Sequence, residues 1–304
     1  MSQAPFSDIQ AHIARLFIYP IKSCAGMEVT DIDLYDTGLD LDRAWMLVDA
    51  DGVFVSQREQ PRMALVQPQI RRGELVLRAP GMLALHVSID SVQEPTRVEV
   101  WDDAVPAYDM GDIAAQWFSD FLHLTLAGVP AHDAPRYRLV RFDPEHNRLA
   151  NKKWTGGADA PVMFSDGYPI LVLSQASVDS LNARLAAEGH APVGVERFRP
   201  NVVFAGLEAH DEDRLPHLTI LAEGGDAGGE VRLGLCKPCT RCSIPNIDHL
   251  TAESTPHVND ALQAYRADPR MNGALTFGMN AIIRAGVGAK LRVGQAVTGN
   301  YQFD

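Results

Sequence analysis

Apolar residues recur mostly in short runs or strict alternations bounded by Gly, Pro, Asn and Asp, the pattern of strands and turns rather than long helices. Residues 13–19 form an apolar, β-prone run that stops at Pro20 and opens into the polar corner Lys22-Ser23-Cys24-Ala25-Gly26. Residues 44–48 and 53–55 flank Asp51-Gly52, a dipeptide that tolerates positive φ and predicts a hairpin. Further runs at 64–66, 75–77 and 83–87, separated by Arg72-Gly73 and Ala79-Pro80-Gly81, predict a meander, and 98–101 adds a strand.

Helical spacing first appears after Asp112, a candidate N-cap, where Ile113, Trp117, Phe118, Phe121 and Leu122 form an apolar stripe expected in the core. The turn Gly128-Val129-Pro130 is the candidate boundary of a first lobe. A strand is expected at 137–142, followed by an irregular stretch, 143–168, long enough to cover a site. Next come a strand at 170–173 and a helix capped by Ser174 with Val178, Leu181 and Leu185 on one face. Strands at 202–204, 218–222, 230–235, 281–285 and 290–293 then enclose one short helix near 260–267. The pattern predicts an α+β, mainly β protein of two β-rich lobes with a few helices.

The chain's 304 residues suffice for a substantial core, and 46% hydrophobic content is that of a folded soluble protein. A net charge of −12 argues against general binding to nucleic acid or anionic membranes. No signal-length or bilayer-length apolar run is present, and four cysteines are too few for a disulfide scaffold. A cytoplasmic monomer with free thiols is the expectation. Phosphate-loop, dinucleotide-binding, zinc-protease and serine-hydrolase motifs are missing from the sequence.

Three of the four cysteines, Cys236, Cys239 and Cys242, fall within seven residues, flanked by Lys237 and Arg241. Thiolates are soft metal ligands, and adjacent cations favour the thiolate. Three chemistries fit the spacing. One is a structural zinc or iron–sulfur site with Cys24 as fourth ligand, although the ferredoxin pattern breaks off after Cys242. A second is a persulfide-forming or redox thiol. The third is a single cysteine given to a metal whose remaining ligands come from an organic cofactor.

Four segments in order, Tyr19-Pro20-Ile21-Lys22-Ser23-Cys24, Asp42-Arg43-Ala44-Trp45, Phe198-Arg199-Pro200-Asn201 and Cys239-Thr240-Arg241-Cys242, with Asp248 following, resemble the MOSC family. The likeness runs from about Ile13 to Val297, includes Leu173-Ser174-Gln175-Ala176-Ser177 and Leu262-Gln263-Ala264-Tyr265-Arg266, and is greatest to the amidoxime-reducing branch. The resemblance implies an N-terminal MOSC β-barrel-like domain over 1–130 and a MOSC β-barrel domain over 131–304. Between them it implies a molybdenum cofactor, a molybdopterin carrying Mo, with Cys242 as the protein's thiolate ligand to the metal.

By the same matching, Lys22, Ser23, Arg43 and Arg199 hold the pterin and its phosphate, with Asp166, Gly167, Tyr168, Asn201, Thr240 and Arg241 nearby. The implied activity is two-electron reduction of a small N-hydroxylated substrate of amidoxime or hydroxylamine type. The chain lacks a C-x4-C-x2-C ferredoxin spacing, so electrons are expected from a separate ferredoxin, flavoprotein or cytochrome-type donor. Asp248 either assists proton delivery or caps backbone N–H groups. Two alternatives stay open: a persulfide-carrying MOSC protein of molybdenum-cofactor sulfuration, and a non-catalytic metal-binding module.

Overall fold

The computed structural model describes residues 7–91, 94–123, 135–222 and 229–303. Its largest element is a closed barrel of seven strands, in the order Ile170–Ser174, Val202–Ala205, Ile9–Ile18, Ala296–Gly299, His217–Ile220, Val231–Thr240 and Ala274–Ala285. The last strand returns to the first, where Val172 faces Met279, so the sheet has no free edge along this path. Gly278 allows the seam: its φ is +78°, and a Cβ there would lie 2.8 Å from the Val172 carbonyl oxygen. Ile13, Leu16, Val172, Phe204, Leu218 and Leu233 belong to the buried cluster that fills the barrel.

Ile170–Ser174 and Val202–Ala205 run parallel, which requires a crossover. The helix Gln175–Ala187 supplies it, burying Val178, Leu181 and Leu185. Ser174 occupies the N-cap, but its hydroxyl makes no capping bond; the buried Glu212 carboxylate accepts the Ser174 amide at 3.2 Å and the Ser177 hydroxyl at 2.8 Å. The second short helix is His257–Gln263, earlier than the sequence pattern placed it, because residues 267–268 pair with the barrel instead.

The other lobe is a four-stranded antiparallel sheet, ordered Trp45–Val48, Arg138–Phe142, Asp103–Asp109 and Pro95–Val100, and a three-stranded sheet of Gln67–Arg71, Glu74–Arg78 and Leu85–Ser88. The helix Asp112–His123 packs Trp117, Phe118, Phe121 and Leu122 into a core shared with Trp45, Leu75 and Leu77. Ile113 does not join it and is 79% exposed, lying in the first turn at the edge of the buried face. The run at 64–66 is not a strand: Pro61 starts a 3-10 helix through Leu65, and the sheet begins at Gln67.

Chain order and hydrogen bonding are interleaved. Ile9–Ile18, first in sequence, pairs with two barrel strands, Val202–Ala205 and Ala296–Gly299 near the other end of the sequence, and with the short strand Met27–Val29 off the barrel. Arg138–Phe142, in turn, belongs to the first lobe's sheet. The division at 130/131 therefore remains a proposal that strands cross in both directions, and its turn at 128–130 lies outside the described residues. Among the described residues, no helix is long and apolar enough to cross a membrane.

Candidate functional site

Two of the singled-out motifs are laced together before any side chain is considered. The Lys22 amide donates to Trp45 O at 2.8 Å, Trp45 N to Pro20 O at 3.0 Å and Arg43 N to Tyr19 O at 2.9 Å. Asp42, almost fully buried, accepts the Tyr19 amide at 2.8 Å and pairs with the Arg43 guanidinium. Ser23, Arg43 and Arg199 all take left-handed backbone conformations, with φ of 65°, 52° and 57°. For residues with a Cβ this costs about 1–2 kcal/mol each, and such strain persists where the surroundings fix a side chain's direction.

These segments meet 198–201 and 239–242 in one cleft between the lobes, enclosing about 870 Å³ including its open mouth. Lys22, Ser23, Arg43, Asp166, Gly167, Tyr168, Arg199, Asn201, Thr240, Arg241 and Cys242 all line it. Every cofactor-binding candidate named from the sequence is therefore brought together, and Cys242 stands exposed on the wall rather than inside packing.

The described lining carries five cations, Lys22, Arg43, Arg58, Arg199 and Arg241, against one carboxylate, Asp166. That imbalance, in a chain of net charge −12, marks an anion site. Buried Lys22 donates to Phe164 O at 3.0 Å and to the Asp166 carboxylate. Burial lowers its pKa, and Asp166 restores part of the loss. The Arg43 and Arg199 guanidinium carbons lie 4.4 Å and 4.3 Å from the centroid of the same Tyr19 ring. Burial and then the Arg43 charge lower Arg199 to about 10, a strain that a bound anion would relieve.

Asn201 is on the wall, yet its polar atoms are engaged within the protein. Oδ1 accepts the Leu171 amide at 3.0 Å and Arg43 Nη1 at 3.2 Å, while Nδ2 donates to Phe17 O at 3.3 Å. It positions Arg43. Arg241 donates from Nη2 to Phe198 O at 2.6 Å and from Nη1 to Cys239 Sγ at 2.9 Å, and its buried Nε has no partner. The Tyr168 hydroxyl is likewise buried and unpartnered, and burial, followed by the nearby Cys236, raises its pKa so that it keeps its proton.

The cysteines separate into two kinds. Cys24 is fully buried in the first lobe's core and burial pushes it up to about 12; Cys236, packed by Tyr168 and Trp154, is pushed up to about 11. Both stay thiols at neutral pH. Cys239 and Cys242 face the cleft. The strand Val231–Thr240 runs through the cluster and scatters its sulfurs, and among the described residues no three His, Cys, Asp or Glu side chains converge to hold a metal. Of the three chemistries open to the cluster, the four-cysteine site has no support here: Cys24 is buried in the first lobe's hydrophobic core.

Asp248 does not line the cleft. It accepts the Leu250 and Thr251 amides at 2.8 Å and 3.1 Å and pairs with Arg197 at 2.6 Å, which is the capping role and not that of a proton donor to the cleft. Partial burial tends to raise its pKa, but the Leu250 N–H and Arg197 outweigh this and hold the carboxyl below its ordinary value. Sequence reasoning missed Phe54, Arg58 and Trp101, which also line the cleft. Their only signal was position: two follow the Asp51-Gly52 turn and one sits at a strand end.

The donor set suits a group with a soft metal at one end and a phosphate at the other: an exposed thiol at Cys242, a wall of cations, and two buried donors, Arg241 Nε and the Tyr168 hydroxyl, without partners. Comparisons with known proteins point the same way. Residues 10–125 match the MOSC N-terminal beta barrel domain and residues 159–298 the MOSC domain. The chain is 32% identical over 246 residues to the mitochondrial amidoxime reducing component 2 of Rattus norvegicus, covering 78% of this chain and 66% of that protein. Against the Homo sapiens component 2 it is 30% identical over 267 residues, 84% of this chain and 73% of the relative. The molybdenum cofactor sulfurase of Bos taurus is 29% identical over 283 residues, 87% of this chain, which spans only 30% of that protein.

Proposed function

Because the chain belongs to the MOSC family, we propose that its cleft holds a molybdenum cofactor and that the protein reduces small N-hydroxylated compounds of amidoxime or hydroxylamine type. One observation carries this reading: the exposed thiol of Cys242 shares a cleft with Lys22, Arg43, Arg199 and Arg241. Cys242 would bind the metal, and the four cations, with Ser23 and Thr240, would grip the pterin and its phosphate. The bound cofactor would supply the two-electron redox chemistry.

The chain's own residues bind and orient. Arginine suits a phosphate because its planar fork donates two parallel hydrogen bonds, and Asn201 fixes one such fork at Arg43. The left-handed backbone at Ser23, Arg43 and Arg199 sets those side chains before a ligand arrives. Tyr168 keeps its phenolic proton and is a donor, not a base. We place the protein in the cytoplasm as a monomer that takes electrons from a separate ferredoxin, flavoprotein or cytochrome-type donor.

Protein from a cofactor-competent host tests the reading by elemental analysis, pterin fluorescence after denaturation, and turnover of an amidoxime with a chemical reductant. About one Mo and one pterin per chain with turnover are expected; zinc alone, with no pterin, overturns it. A sulfur-carrier role is favoured by the accessibility of Cys242 and by sulfurase relatives at similar identity. A Cys242 persulfide that transfers sulfur, in Mo-loaded protein inert toward amidoximes, selects that role instead.

A further inference from the structure

One lip of the cleft is built from residues to which the cofactor reading gives no task. Trp101 occupies the turn between Pro95–Val100 and Asp103–Asp109 with φ 56°, and is 45% exposed. Its Nε1 donates to Asp166 Oδ1 at 3.2 Å, tying the indole to the carboxylate that Lys22 also holds. The rings of Phe54 and Trp101 lie 4.9 Å apart. Over them rests Arg58, its guanidinium carbon 4.9 Å from the indole centroid and 5.9 Å from the Phe54 centroid.

Arg58 Nε faces Ser56 Oγ at 3.1 Å and Glu59 Oε1 at 3.6 Å. These contacts fix the guanidinium plane and leave both Nη groups without an acceptor among the described residues. Depth separates Arg58 from Lys22 and Arg43. Its side chain is 28% exposed, whereas those of Lys22 and Arg43 are 6% and 13% exposed. A phosphate gripped by the deep cations is out of the solvent; an anion met by Arg58 is at the mouth.

We propose that Arg58, held flat by Trp101 and Phe54, reads a carboxylate on the substrate, so that the protein prefers N-hydroxylated substrates whose planar scaffold carries one. The inference rests on the reductase reading of the same cleft. A planar scaffold fits because this half-exposed lip is itself built of flat groups, an indole, a phenyl ring and a guanidinium in mutual contact. A carboxylate fits because two parallel N–H groups match its two oxygens.

The test uses Mo-loaded protein, a neutral aryl amidoxime and its 4-carboxylate. The wild type is expected to favour the carboxylate in kcat/KM. Arg58→Met lowers that ratio about tenfold, through KM, and Arg58→Lys lowers it less because the fork is lost but the charge kept. Calorimetry with two unreactive amides, 4-carbamoylbenzoate and benzamide, reads the same preference without turnover. An unchanged ratio in Arg58→Met overturns the proposal, as does a fall in its Mo content, which would assign Arg58 to the cofactor's phosphate. Should the loaded wild type reduce neither amidoxime, the reductase reading fails by itself. Calorimetry then decides this inference, and equal affinity for the two amides defeats it.

Discussion

Asn201 and Arg43 share one hydrogen bond, Oδ1 to Nη1 at 3.2 Å, across 158 positions of sequence, and the same oxygen holds the Leu171 amide. The amide side chain thus joins the parallel pair of the barrel to the arginine of the first lobe.

Replacing Asn201 by Ala leaves a buried amide and an arginine unsupported. The expected loss is about 1–3 kcal/mol of stability, with a lower Mo content than the wild type at equal folded protein. Urea unfolding followed by metal analysis on the folded fraction measures both; full Mo content would contradict the positioning role.

Cys242 and Cys236 divide by accessibility, so their serine variants should divide too. Cys242→Ser is expected to lose bound Mo and amidoxime turnover, whereas Cys236→Ser keeps most of both, because its sulfur is packed away as a thiol. Equal loss in the two variants would sink the assignment of the metal ligand.

Glu212 is fully buried, and burial raises its pKa to about 7 despite the Ser177 hydrogen bond. Below the ordinary carboxyl value near 4.5 it is protonated in both folded and unfolded chains. As pH rises through about 7 the folded protein must ionise a carboxyl in an apolar setting, and the stability conferred by the neutral form is lost. Oε2 has no partner, so an amide fits there. Glu212→Gln should flatten the fall in stability between pH 4.5 and 7 and raise it above pH 7 by up to about 3 kcal/mol. Unfolding midpoints across this range decide; parallel profiles for variant and wild type would refute the claim.

Gly278→Ala should break the barrel seam. The left-handed φ alone costs about 1–2 kcal/mol, and the new Cβ meets Val172 O at 2.8 Å. A lower melting temperature is expected; an unchanged one would mean the two strands separate at no cost.

Much of the barrel was legible because its strands alternate or run apolar, as Ile9–Ile18 and Val202–Ala205 do. The strand Val231–Thr240 was read short, ending before the cysteines, since Lys237-Pro238 is a poor strand sequence. Pairing with Ala274–Ala285, bulged at two places there, carries the strand on regardless. The deep cations were legible through motifs that resemble a family. Arg58 and Trp101 were not, because each belongs to a turn with no pattern of its own, and only packing of the first lobe brings them to the cleft. Cys24 looked like a ligand by type and is core by location.

Ile9–Ile18 is synthesised long before Ala296–Gly299, yet each is the other's neighbour. The nascent barrel has a gap until residues 296–299 are made, and until then part of the early strand's pairing is missing. Closure of this seam is accordingly a late event, and a ribosome stalled before residue 296 would carry a barrel still open between Ile9–Ile18 and His217–Ile220.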